Sequence, residues 1–165
     1  MRNYLIASTL ATVIAAAPAM AADGVINFTG KVLNSSCAVD PTLDVKMGDV
    51  TASAFSEVGA ESTKQAFKLT LKNCPVNLST AQIKFEGANA GDSKELFKLN
   101  DGGAEGLGLR ISNEKNAPIV PGGVSVVPLE GKTTYELPYY ASYQSTGPVT
   151  MGDANASVQF SVSYN

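Results

Sequence analysis

Histidine and tryptophan are both absent from this 165-residue chain, and cysteine occurs only twice. Histidine is the commonest general acid–base and the commonest metal ligand near neutral pH, so its absence removes the usual catalytic dyads and triads and most transition-metal sites. The two thiols, Cys37 and Cys74, have no histidine or clustered carboxylates to help them hold a metal. Basic charge is scarce too. There are 12 Lys and Arg against 15 Asp and Glu, a net charge of −3, and they are scattered along the chain. That distribution argues against a nucleic-acid partner and against an anionic membrane surface. No glycine-rich phosphate loop lies between a strand and a helix. Gly106, Leu107 and Gly108 resemble a fragment of one but sit in a β context and read as a strand entrance. Asp92, Glu95 and Asp101 lie close together in the chain, among polar neighbours, as solvated surface charge does. The expectation is no catalytic residue, no cofactor-binding residue and no metal ligand: not an enzyme, and no cofactor.

Long apolar runs are also missing, with one exception at the start. Arg2 supplies a positive charge, residues 5–17 carry no charge, and Ala19, Met20 and Ala21 have the small-x-small form of a cleavage site. This is the pattern of a secretory signal peptide over residues 1–21, too short to span a bilayer. Cleavage leaves 144 residues, in which the twelve basic side chains become eleven against fifteen acidic ones. A chain of that length is one domain able to bury a real core. It contains no further run that would anchor it in a membrane. Export places Cys37 and Cys74 in an oxidising compartment, where a single disulfide is expected. The loop-entropy estimate for the 36 residues between them is about 4 kcal/mol.

What remains is rich in short alternating segments. Phe67, Leu69 and Leu71 alternate with Lys68, Thr70 and Lys72, and Ile83 and Phe85 flank Lys84. Leu43 and Val45, then Leu107, Leu109 and Ile111, then Val124 and Val126, repeat the period of two. A longer run carries Tyr135, Leu137, Tyr139, Ala141 and Tyr143 on one parity; Pro138 within it predicts a bulge or a local edge. Turn formers separate these segments, among them Asp40-Pro41, Pro121-Gly122-Gly123 and Gly147-Pro148. Eight or so strands at this spacing predict an all-β sandwich with Greek-key connections, and residues 52–65 are the best place for a short helical turn.

The two ends complete the pattern. At the far end Val158, Phe160, Val162 and Tyr164 alternate with Gln159, Ser161 and Ser163, and Asn165 is the last residue. If the chain ends there, one edge of this strand has no later neighbour, whereas an immunoglobulin-like sandwich has one more strand. At the other end Ile26, Phe28, Gly30 and Val32 share one parity, with Asn27, Thr29 and Lys31 on the other, all ahead of the first cysteine. The first set suits a buried face and the second suits solvent.

A secretory signal, an alternating segment with Phe28-Thr29-Gly30, an early cysteine and a second about forty residues on resemble the pilins of the chaperone–usher fimbriae, of type 1-like and F17-like kind. Tyr164 as penultimate aromatic and Gly152 fourteenth from the end match that family's chaperone-binding signature. The resemblance spans the mature chain. It implies residues 22–36 as an N-terminal donor-strand extension and residues 37–165 as an incomplete immunoglobulin-like β-sandwich lacking its last strand. It implies Ile26, Phe28, Gly30 and Val32 as the inserting face. Val158, Phe160, Val162 and Tyr164, with Gly152 and Asn165, form the groove and chaperone-binding strand, and the carboxylate of Asn165 meets basic residues of the chaperone. The implied partners are a periplasmic pilus chaperone, an outer-membrane usher and neighbouring pilin subunits. The implied location is the fimbrium at the cell surface, reached through the periplasm. An extension with a donor strand points to a rod or linker subunit rather than to a tip adhesin or a terminating subunit. The alternative is a self-contained secreted sandwich that binds a carbohydrate or protein, for which Tyr139, Tyr140 and Tyr143 are the one dense aromatic group.

Overall fold

The period-two segments of the sequence form strands in a computed structural model that describes Phe28, Thr29 and residues 36–165. The signal peptide expected at residues 1–21 and most of the extension expected at residues 22–36 lie outside the described residues. Among the described residues nine strands follow one another: β1 (Ala38–Val39), β2 (Gln65–Lys72), β3 (Thr80–Glu86), β4 (Phe97–Lys98), β5 (Leu107–Asn113), β6 (Pro118–Ile119), β7 (Val124–Pro128), β8 (Tyr135–Ser145) and β9 (Gln159–Tyr164). The one helical element among the described residues is a 3-10 turn at Ala52–Ala54, inside the window where the sequence allows one.

Two antiparallel sheets result. The larger runs β1-β2-β8-β5-β4, with β6 added beside β5; the smaller runs β7-β3-β9. Every named ladder is antiparallel, which lets each sheet bury one face and wet the other. The buried faces carry the residues whose alternation marks them: Leu69 and Leu71 on β2, Ile83 and Phe85 on β3, Leu109 and Ile111 on β5, and Leu137, Tyr139 and Tyr143 on β8. The two layers meet at Tyr139. Its ring stacks on Phe67 of the same sheet at 5.7 Å and takes Phe85 of the other sheet edge-on at 5.2 Å, the geometries that aromatic quadrupoles favour. Burial pushes the Tyr139 hydroxyl above its ordinary pKa, opposed by a hydrogen bond with Ser125.

Three sequence expectations are modified. Val124 and Val126 are the solvent-facing residues of β7, at 52% and 60% exposure. The register with β3 decides this: Ser125 faces Ile83 and Val127 faces Ala81, both fully buried, so that parity must point inward. Pro138 lies opposite Lys68 without a bulge, one residue beyond the end of the β5 ladder at Tyr139. The strand is central, but on its β5 side it is locally an edge there, which is where a residue lacking an N–H fits. Leu43 and Val45 belong to no strand. Residues 40–50 keep the alternation of burial at Val45 and Met47 but form no backbone ladder among the described residues.

Cys37 and Cys74 are joined by a disulfide, tying the start of β1 to the turn between β2 and β3. Replacing both by serine is expected to cost about 2–5 kcal/mol in a urea unfolding experiment. An unchanged midpoint would show that the bond adds nothing to the fold.

Candidate functional site

β9 pairs with β3 over its whole length: Phe160 lies opposite Phe85, Val162 opposite Ile83 and Tyr164 opposite Ala81. Among the described residues its other edge has no ladder partner. The consequence shows in the side chains. The inward residues of β3 are closed off, Ala81 and Ile83 at 0% exposure, whereas Val158, Phe160, Val162 and Tyr164 beside them are only half-buried, though packed on the same core. An apolar row has a floor and one wall.

The second wall is the ladderless segment of residues 40–50. Two contacts place it. At one end the Tyr164 hydroxyl lies against the backbone of Cys37. At the other, Val50, Ala52 and Phe55 share a small cavity with Met151, Gly152 and Ala154, just ahead of β9. Residues 37–50 thus run beside β9 in the opposite sense, and no backbone hydrogen bond joins the two. Val39 and Met47 are half-buried and pack on the same core as the β9 row. Among the described residues the outer edge of β9 and residues 40–50 have no ladder partners, and backbone groups are rarely left so once water is excluded. A single added strand would satisfy both rows.

The remaining site residues take their places around this seam. Gly152 is not in β9. It sits in the connection from β8, where a Cβ would come within 2.7 Å of the Ala104 nitrogen. That connection is stitched to residues 100–106: Ala104 N–H donates to the Asp153 carbonyl at 2.9 Å, Thr146 N–H to Gly106 at 2.8 Å, and Asn100 N–H to Asn155 at 2.8 Å. The Tyr143 hydroxyl donates to the Ala154 carbonyl at 2.6 Å from below. Asn165 continues the β3 pairing; its oxygen accepts from the Ser79 amide at 2.8 Å and the Ser79 hydroxyl at 3.0 Å. Of the four residues expected on the inserting face, Phe28 alone is described, and its ring is exposed; Ile26, Gly30 and Val32 lie outside the described residues.

Other candidates dissolve. Asp101 pairs with Lys98, whose hydrogen bond and charge hold its carboxyl below the ordinary range, and no group of three potential ligands forms among the described residues. Tyr139 and Tyr143 are buried on the inner face of β8 while Tyr140 is on the outer one, so the three rings make no common platform. Sequence reasoning missed the second wall: the alternation at Val45 and Met47 marks an extended segment but not the lack of a partner.

The sequence profile of the fimbrial protein family matches residues 26–165. The chain belongs to that family. A probable fimbrial subunit, LpfE, of Escherichia coli O157:H7 is 34% identical, the match covering 95% of this chain and 92% of the relative. The crystal structure of a Burkholderia pseudomallei antigen and type I fimbria protein superposes with a TM-score of 0.64 at 31% identity, covering 78% of this chain and 89% of the other. A subunit from a chaperone–usher pilus structure, described for rod uncoiling, superposes at 0.67 with 18% identity, over 90% of this chain and all of the other. The fold is accordingly the immunoglobulin-like sandwich of chaperone–usher pilins, and the protein is a fimbrial structural subunit exported to the cell surface, not an enzyme. No helix among the described residues is long and apolar enough to cross a membrane.

Proposed function

We propose that this pilin polymerises by donor-strand exchange, with the seam beside β9 as the acceptor and residues 22–36 of a second copy as the donor. The observation that carries it is the outer edge of β9, which has no ladder partner among the described residues and lies beside the half-buried row Val158, Phe160, Val162 and Tyr164. The donor sequence has the matching pattern: Ile26, Phe28, Gly30 and Val32 share one parity, which inserted in the acceptor would face inward, and Asn27, Thr29 and Lys31 share the other. Strand addition of this kind takes its affinity from main-chain bonds and its selectivity from alternate side-chain pockets; donor-strand complementation in pilins is a standing example of the mode. Because donor and acceptor are different surfaces, the contact is heterologous and does not close, so it propagates a filament.

An exported subunit with an open seam exposes an aggregation-prone edge until a partner covers it. A periplasmic chaperone lends a strand for that interval, with Gly152, the β9 residues and Asn165 facing it and basic chaperone side chains receiving the end of β9. An outer-membrane usher is where the next subunit's extension replaces the chaperone strand. With such a donor extension the subunit would serve in the shaft, as a rod or linker subunit.

Gly30→Asn tests the donor half. A side chain at the close-approach position should abolish self-polymerisation while leaving the circular dichroism spectrum and unfolding midpoint of the domain unchanged. Fibres growing at the normal rate from this variant would refute the assignment of Gly30.

A further inference from the structure

The smaller sheet has a second edge, at β7, on the side of β3 away from β9. The bonds at the two ends of the β3–β7 ladder show which groups that edge offers. The Leu129 amide donates to the Ser79 carbonyl at 2.8 Å and the Phe85 amide to the Gly123 carbonyl at 3.2 Å. Odd-numbered residues of this stretch thus turn their main chain toward β3. In an antiparallel ladder the N–H and C=O of alternate residues point to opposite sides. The main-chain groups of Val124 and Val126 therefore point away from the sheet, and among the described residues β7 has no ladder on that side. The side chains of Val124 and Val126 are exposed as well, on the wet face. β7 carries no charge, and the charged residues of β3 in the same layer, Lys84 and Glu86, pair with each other. Free edges are ordinarily blunted by charge or a bulge, and the unbroken register of β7 with β3 shows neither.

Pro128 limits what can pair there, because it has no N–H to give. A second β7 laid antiparallel, with the two-fold axis at Ser125, sets Val124 opposite Val126 of the other copy, and the reverse. Each of these pairs exchanges both its bonds, about four in all, and Pro128 falls just past them. An axis at Val126 would instead set Pro128 opposite Val124 and forfeit bonds on both sides. With the axis at Ser125 the exposed valines of both copies meet on one face as cross-strand neighbours. The chain is net negative, so copies repel on approach, and a strip without charge keeps that cost low. We propose that β7 pairs with β7 of a second copy in another fibre and so joins two fimbriae side by side. A two-fold contact is isologous, whereas subunits along one fibre repeat by a screw operation, which places this contact between fibres. It uses a different edge from β9 and stands independently of the donor-strand assignment. One contact of so few bonds is weak; repetition along both fibres multiplies it.

The test uses purified fimbriae of the unmutated chain, of Val124→Glu, of Val126→Lys and of the double variant. Unmutated fibres should lie side by side in electron micrographs and sediment faster than single fibres. Each single substitution sets a charge against a valine of the other copy and should abolish the pairing. The double variant should restore it, because the Ser125-centred register sets the new carboxylate opposite the new ammonium. Fibre length and unfolding midpoint should stay unchanged throughout, as for other exposed positions. Hydrogen exchange on unmutated fibres gives a reading that needs no variant. The amides of Val124 and Val126 should be as slow as those of Ser125 and Val127, which β3 holds; in Val126→Lys fibres only the latter two should remain slow. Unmutated fibres that stay single, single variants that still pair, a double variant that does not recover, or fast exchange at Val124 and Val126 in unmutated fibres each overturn the proposal.

Discussion

Joining a copy of residues 23–34 after Asn165 through a short flexible linker, with residues 22–36 removed, should convert a chain that polymerises or unfolds easily into a stable monomer. The added segment would lie beside β9 and cover Val158, Phe160, Val162 and Tyr164, which are half-buried without it. Burying Ile26, Phe28 and Val32 contributes about 1.5–3 kcal/mol for each side chain. The new main-chain bonds to β9 and to residues 40–50 add about 1 kcal/mol each before the ordering of the segment is counted against them. Tethering raises the effective concentration of the segment to the millimolar range, so the seam is filled at any protein concentration. The expected shift in unfolding free energy is therefore large, about 5 kcal/mol or more. Size-exclusion chromatography with light scattering and urea unfolding read both parts of the expectation. Residues 40–50 should also gain slow amide exchange, since they acquire their first ladder. If the ungrafted mature chain is already a stable monomer and the graft changes neither midpoint nor exchange, the seam is not an acceptor and the assembly must use another surface.

Much of this architecture was legible in the sequence because sheet formation leaves a strong local mark. Strands with one wet face must alternate, and β2, β3, β5, β8 and β9 all fall where the alternation places them. The disulfide follows from two cysteines in an exported chain. What the pattern does not encode is which strands become neighbours. Val124 and Val126 are as apolar as any core pair, yet they face water, because pairing with β3 forces Ser125 and Val127 inward. Leu43 and Val45 carry a strand pattern, yet among the described residues their segment joins no ladder. The strand β9 itself was therefore readable, and its outer edge has no ladder partner among the described residues. The other wall is a property of the tertiary arrangement. Gly152 illustrates the same limit: its place in the chain marks it as special, but the reason is the backbone of a loop some fifty residues earlier.

Gly103→Ala and Gly152→Ala are each expected to destabilise the domain by about 2–4 kcal/mol, the range of severe overpacking with loss of buried backbone bonds. The two glycines face one another. A Cβ on Gly103 would overlap the Asp153 carbonyl oxygen, and one on Gly152 would press on the Ala104 nitrogen at 2.7 Å and the Gly103 carbonyl carbon at 2.8 Å. These neighbours are backbone and cannot rotate aside as a side chain would. Either methyl must push the two loops apart, stretching the Ala104 to Asp153 bond and the bonds to Gly106 and Asn155 that hang on the same approach. Gly152 adds a backbone penalty, since its φ of 156° lies at the margin of the region that L-residues avoid. Both substitutions strain one contact, so the double variant should cost clearly less than the two single costs taken together. Gly147→Ala is the control: it lies in the same connection with nothing within 4 Å of its Cβ, and should change stability by less than about 0.5 kcal/mol. The strand-grafted monomer is the proper background, because no chaperone or second subunit takes part there. If Gly152 acts by holding the start of β9 against residues 103–104, Gly152→Ala lowers the unfolding midpoint of that monomer. If the midpoint is unmoved while chaperone capture falls, the glycine is needed for contact with the chaperone and the packing account is wrong.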